Sequence, residues 1–236
     1  MHSSSRTTPP PPSAGQWPIY GVLAFLLLIA AQVHALLTSV PDRDMGHLQK
    51  IMYVHVPAAW TTFLAFFVVA VSSLLVLWRG DERHDLLAAS AAEIGAVFNA
   101  LTLALGMLWG KPTWGVWWTW DARLTSTLVL LLIFVGYLSM RAFLDDPGRR
   151  ATWSAAVGLL GAINVPIVYM SVKWWRTLHQ EQSSPSTLDP AYTLGLRLNA
   201  IAFLLVLIYF VRRRYEAHRL QRAAEQAADA TALGGA

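Results

Sequence analysis

The feature that most constrains this chain is the arrangement of its apolar residues, which fall in six long blocks separated by short polar stretches. A helix rises about 1.5 Å per residue, so a block of about 20 apolar residues matches the ~30 Å hydrocarbon core of a bilayer. Inside lipid every backbone N–H and C=O must be bonded within the protein, which leaves helices and closed barrels as the spanning forms. Unbroken apolar runs select the helix. Spans are expected at 17–37, 57–78, 86–109, 124–140, 152–172 and 191–211. The predicted fold class is an all-α membrane protein with six transmembrane helices. Charged residues make up 14% of the chain, against roughly a quarter in soluble domains, and little sequence remains for a separate soluble domain.

Three segments follow from this pattern. Residues 1–16, with the run Pro9–Pro12, are expected to be a disordered cytoplasmic leader, because a proline run cannot build a helix and has little to bury. Residues 17–211 form the six-span membrane domain. Residues 212–236 form a basic, then Ala-rich, cytoplasmic tail, expected to be a helix along the membrane surface. The first apolar run is longer than the core of a signal peptide and reads as an uncleaved anchor.

Six spans place both termini on one side, and Lys and Arg choose which side. The leader, the turns at 79–85 and 141–150 and the tail carry 11 of them, against 6 in the loops at 38–56, 110–123 and 173–189. The termini are therefore read as cytoplasmic and those three loops as outward-facing. A net charge of +4 then means basic loops beside anionic membrane lipid rather than nucleic acid.

The chain has no cysteine, which removes disulfides, thiolate nucleophiles, iron–sulfur ligation and a C-x-x-C-H haem attachment site. It has no nucleotide-binding motif. Its chemistry is read from tryptophan and histidine, as binding rather than catalysis.

Of 11 tryptophans, eight map to the outward half: Trp60, Trp109, Trp114, Trp117, Trp118, Trp120, Trp174 and Trp175. An interfacial aromatic belt accounts for scattered indoles at both surfaces, but not for the cluster Trp114-Gly115-Val116-Trp117-Trp118-Thr119-Trp120-Asp121. So many rigid aromatic faces in one short loop suit a platform for a flat ligand, and haem is the cofactor that fits best. His55, in Tyr53-Val54-His55-Val56-Pro57, and His179, in Trp174-Trp175-Arg176-Thr177-Leu178-His179, belong to the two outer loops flanking that platform. Imidazole suits iron, and haem offers two axial positions. The residues alone leave axial ligation and two merely interfacial histidines equally open. His47 is a reserve ligand. Met45 and Met52 are read as packing.

Haem propionates call for cations at the rim. Arg123 is the first candidate, with Lys50, Lys111, Lys173 and Arg176 at the same depth. Asp121 stands directly before the fourth span, where an N-cap is expected, paired with Arg123 or touching the ligand. Glu93 and Arg197 lie inside spans, where ionisable groups usually face the bundle interior. Their different depths argue against a direct pair.

The run Trp114 to Thr125 resembles the tryptophan-rich "WWD" signature of haem-handling membrane proteins. Together with the flanking histidines and six spans, it is similar to the cytochrome c maturation protein C family, also called haem exporter protein C, over about residues 17–211. The Pro-rich leader and the Ala-rich tail depart from that pattern. The resemblance implies that Trp114, Trp117, Trp118, Trp120, Asp121 and Arg123 bind haem b on the periplasmic face of the bacterial inner membrane, with His55 and His179 as axial iron ligands. It further implies delivery of haem to a periplasmic haem chaperone, cytochrome c maturation protein E. Further implied partners are ATP-binding-cassette subunits and a small single-span subunit. The alternatives are a permease subunit moving haem across the membrane, a b-type electron carrier and a haem lyase.

Overall fold

The computed structural model describes residues 17–180 and 188–234, so the expected disorder of the leader lies outside the described residues. Six helices are long and apolar enough to cross a membrane: α1 (Trp17–Thr38), α2 (Met52–Arg79), α3 (Glu82–Trp114), α4 (Ala122–Phe143), α5 (Pro147–Trp174) and α6 (Pro190–Gly234). No strand occurs among the described residues. The protein is a multi-pass all-α membrane protein, as the apolar blocks predict.

Helix ends follow local chemistry. Asp81, Asp121 and Asp146 cap α3, α4 and α5, each carboxylate accepting from a backbone N–H of the first turn. Gly80 and Gly115 close α2 and α3 in the left-handed conformation, at φ 66° and 77°, where a side chain would be strained.

Three boundaries differ from expectation. First, α2 begins at Met52, five residues before Pro57, where the second span was expected to start. Pro57 cannot donate to the Tyr53 carbonyl. Gln32 Nε2 of α1 points to that oxygen instead, at 3.4 Å. Second, α3 runs on through Pro112 to Trp114, so the expected loop at 110–123 shrinks to Gly115–Asp121. Third, the tail does not break away to lie along the surface. It continues α6 as one helix of 45 residues, about 67 Å at 1.5 Å per residue. Its charges are used against α3: Arg214 and His218 both pair with Glu93, and Arg222 pairs with Glu82. Glu93 therefore has partners in α6 other than Arg197, which is exposed.

Helix α2 sits centrally, against α3, α5 and α6, with α4 between α3 and α5 and α1 at the edge on α6. Lipid gives apolar helices no hydrophobic reason to associate, so small residues that permit close approach matter. Gly158 and Gly161 of α5 do this against Ser73 and Phe66 of α2: an added Cβ would lie 2.5 and 2.8 Å from their atoms. Buried polar pairs fix the register. Asp85 of α3 and Arg141 of α4 form a bidentate pair at 2.5 and 2.9 Å, with side chains only 11% and 13% exposed. Gln32 of α1 donates to Asn199 of α6 at 2.6 Å.

Candidate cofactor-binding cleft

At the end of the bundle opposite the tail, α2, α3, the start of α4, the end of α5 and the segment after it enclose a cleft of about 1040 Å³, open space at its mouth included. Its walls come from two helical stripes. Met52, His55, Val56, Ala59, Trp60 and Phe63 form one face of α2, and Gly106, Trp109, Gly110, Thr113 and Trp114 form one face of α3.

His55 and His179 both line this cleft. His55 is carried by the first turns of α2, not by a loop. Gly106 lets α3 approach it closely: a Cβ there would sit 3.3 Å from His55 Cε1. Trp109 meets the imidazole edge-on at 5.8 Å. Among the described residues no group reaches the buried His55 Nδ1 in good hydrogen-bonding geometry, although the Thr102 backbone lies beside the ring. Nε2 is left as the nitrogen a cleft ligand can reach.

His179 is anchored differently. Its Nδ1 lies 3.0 Å from Asp121 Oδ2. The same oxygen accepts from Thr177 Oγ1 at 2.6 Å and from the Leu178 N–H at 3.3 Å. Asp121 Oδ1 meanwhile caps α4 by accepting from the Leu124 N–H at 2.8 Å. Asp121 thus ties the segment after α5 to the start of α4, and the imidazole of His179, not the Arg123 guanidinium, is its side-chain partner. Partial burial pushes the Asp121 carboxyl upward, but the bonds from His179, Thr177 and Leu124 outweigh it and hold the group well below the usual carboxylate range. A depressed acid contributes stability that is lost only as pH falls through its folded-state value, so this tether persists at neutral and mildly acidic pH.

Trp114 lines the cleft, 4.9 Å from the His179 ring. Trp117, Trp118 and Trp120 lie outside the lining. Trp118 and Trp120 pack edge-to-face at 5.5 Å, and Trp120 is 76% exposed. Arg123 enters the cleft between α4 and α5, bonded at 3.2–3.5 Å to the Val168 and Tyr169 carbonyls and Ser171 Oγ. It is the one basic rim candidate in the lining. Lys50 and Lys111 are turned to backbone carbonyls of Leu36 and Gly115 instead. His47 is exposed and outside the cleft, whereas Met45 and Met52 line it.

Trp60 and Trp109 belong to the walls although the sequence motif singled out only the loop. The signal that finds them is spacing: positions 52, 55, 56, 59, 60 and 63, and 106, 109, 110 and 113, each mark one helical face. Among the described residues no group of three His, Asp or Glu could hold a bare metal ion. Two histidines in an aromatic cleft suit a metal that brings its own equatorial ligands.

Fold and cleft define a class: a multi-pass helical membrane protein with two histidines in an aromatic cleft at one end of the bundle. The model of the family described as Heme exporter protein C matches residues 12–230. The chain is 41% identical over 190 residues to the Heme exporter protein C of Bradyrhizobium diazoefficiens, covering 78% of this chain and 72% of that protein. Against the Escherichia coli K12 protein of the same name it is 40% identical over 166 residues, 70% and 68% of the two chains. Against that of Haemophilus influenzae it is 32% identical over 214 residues, 89% and 87%. This chain belongs to the Heme exporter protein C family.

Proposed function

We propose that this protein binds haem as cargo in the cleft and presents it, without catalytic turnover, to a periplasmic haem chaperone during cytochrome c maturation. One observation carries the reading: His55 and His179, 124 positions apart in the chain, converge on one aromatic cleft, with Nδ1 of His55 buried and Nδ1 of His179 engaged by Asp121. Each ring then has Nε2 for iron, which supports haem b held by two imidazoles. Trp60, Trp109 and Trp114 supply flat walls. Arg123 is the cation for a propionate. Trp117, Trp118 and Trp120 extend the aromatic surface outside the cleft, where an exchanging haem or its acceptor can be met. Membership of the family supports haem handling in cytochrome c biogenesis, and with it an assembly with ATP-binding-cassette subunits, a small single-span subunit and cytochrome c maturation protein E.

The excess of Lys and Arg supports cytoplasmic termini and a cleft on the periplasmic side of the inner membrane. The lack of native cysteine makes this simple to test. A cysteine at Val116 should react with an impermeant thiol reagent added to intact spheroplasts, and one at Asp145 only after lysis. Labelling of position 145 first reverses the orientation.

Haem binding is tested by the absorption and paramagnetic-resonance spectra of the purified protein, with and without the co-expressed chaperone. A low-spin six-coordinate spectrum is expected. It should become high-spin or five-coordinate when either His55 or His179 is replaced by alanine. If both single variants keep the bis-histidine spectrum without added imidazole, the ligand assignment fails.

A further inference from the structure

The two histidines are held in unequal ways, and the inequality bears on how a carrier gives up its cargo. His179 Nδ1 lies 3.0 Å from a carboxylate oxygen that two further donors fix in place. A carboxylate behind a ligating imidazole sets its tautomer and orientation and raises its basicity, and losing such a partner typically costs about 10–100-fold in metal affinity. Among the described residues His55 has no such support: its Nδ1 is buried without a partner in good geometry, beside the Thr102 backbone. The mechanical settings differ in the same direction. His55 stands on a central helix that packs against α3, beside Gly106 and Trp109, and is poorly placed to follow a ligand outward. His179 stands on the segment after α5, which can shift at lower cost than a packed helix.

Resting on the haem-binding reading above, we infer that His55 and His179 form an unequal pair, in which His179, braced by Asp121, retains the haem while the bond to His55 breaks first on release. Both electrons of that dative bond stay on His55 Nε2, and one axial position opens on the buried side. Asp121 is a positioning residue in this scheme, acting on iron only through His179.

The test uses the full-length, haem-loaded protein in detergent, with apomyoglobin as the haem acceptor. His55→Ala should transfer haem faster than the unaltered protein, since one of its two axial ligands is gone, yet remain the slower of the two histidine variants. His179→Ala should transfer it at least about tenfold faster. Asp121→Asn separates the two duties of this side chain, because asparagine still caps α4 but no longer offers a carboxylate to His179. It should keep helicity, raise the haem midpoint potential and speed transfer about tenfold. Equal rates for the two histidine variants, a faster loss from His55→Ala, or an unchanged potential and rate in Asp121→Asn would each overturn the inference. Spectra unchanged in both histidine variants would instead remove the ligand pair itself. Should His179→Ala fail to fold, Asp121→Asn alone decides.

Discussion

Asp85→Ala is expected to cost the bundle about 3–5 kcal/mol, because it leaves the Arg141 guanidinium buried between α3 and α4 without its counter-charge. The pair is bidentate and the two side chains are only 11% and 13% exposed, so water cannot replace the missing carboxylate. Thermal unfolding in detergent measures the effect. The double variant Asp85→Leu with Arg141→Met should regain most of the loss, since a buried ion pair and a well-packed apolar pair of similar volume are often close in stability. A single variant as stable as the parent would show that the pair is hydrated and contributes little. The cleft lies at the opposite end of the bundle, so haem bound per folded molecule should be unchanged.

Trp114→Ala is expected to weaken haem retention about thirtyfold, while Trp120→Ala changes it by less than about threefold. Trp114 lies in the cleft wall beside His179, whereas Trp120 is 76% exposed. Losing roughly 80 Å² of indole contact at about 25 cal/mol per Å² gives about 2 kcal/mol, and 1.4 kcal/mol is a factor of ten. Competition with apomyoglobin reads both variants on one scale. A larger loss from Trp120 than from Trp114 would move the principal contact from the cleft to the exposed loop, where the sequence motif by itself suggests it.

The spans were legible because apolar blocks of membrane length leave few alternatives, and the Asp121 cap because a carboxylate directly before an apolar run has a ready local use. What escaped depended on contacts between distant segments. Pro57 reads as a helix start, and only the Gln32 side chain from α1, turned to the Tyr53 carbonyl, shows how the helix accommodates it. The run of basic residues after 211 reads as the end of a span. Glu93 and Glu82 lie on α3, more than 120 positions earlier in the chain, and they let the same helix continue. In the site, the motif drew attention to Trp117, Trp118 and Trp120, while Trp60 and Trp109 are brought in by helical phase. Arg123 was legible as a candidate for the cleft rim, but its bonds to the end of α5 were not.

The tether through Asp121 also bears on how the site comes into being. Synthesis runs from the N-terminus, and segments become available to fold in that order. His55 and the α3 wall come first, and Asp121 follows as α4 acquires its cap. His179 emerges last, to an acceptor already in place. A nascent chain that has not yet passed α5 carries only one of the two cleft histidines, so the cleft is completed only when the bundle nearly is.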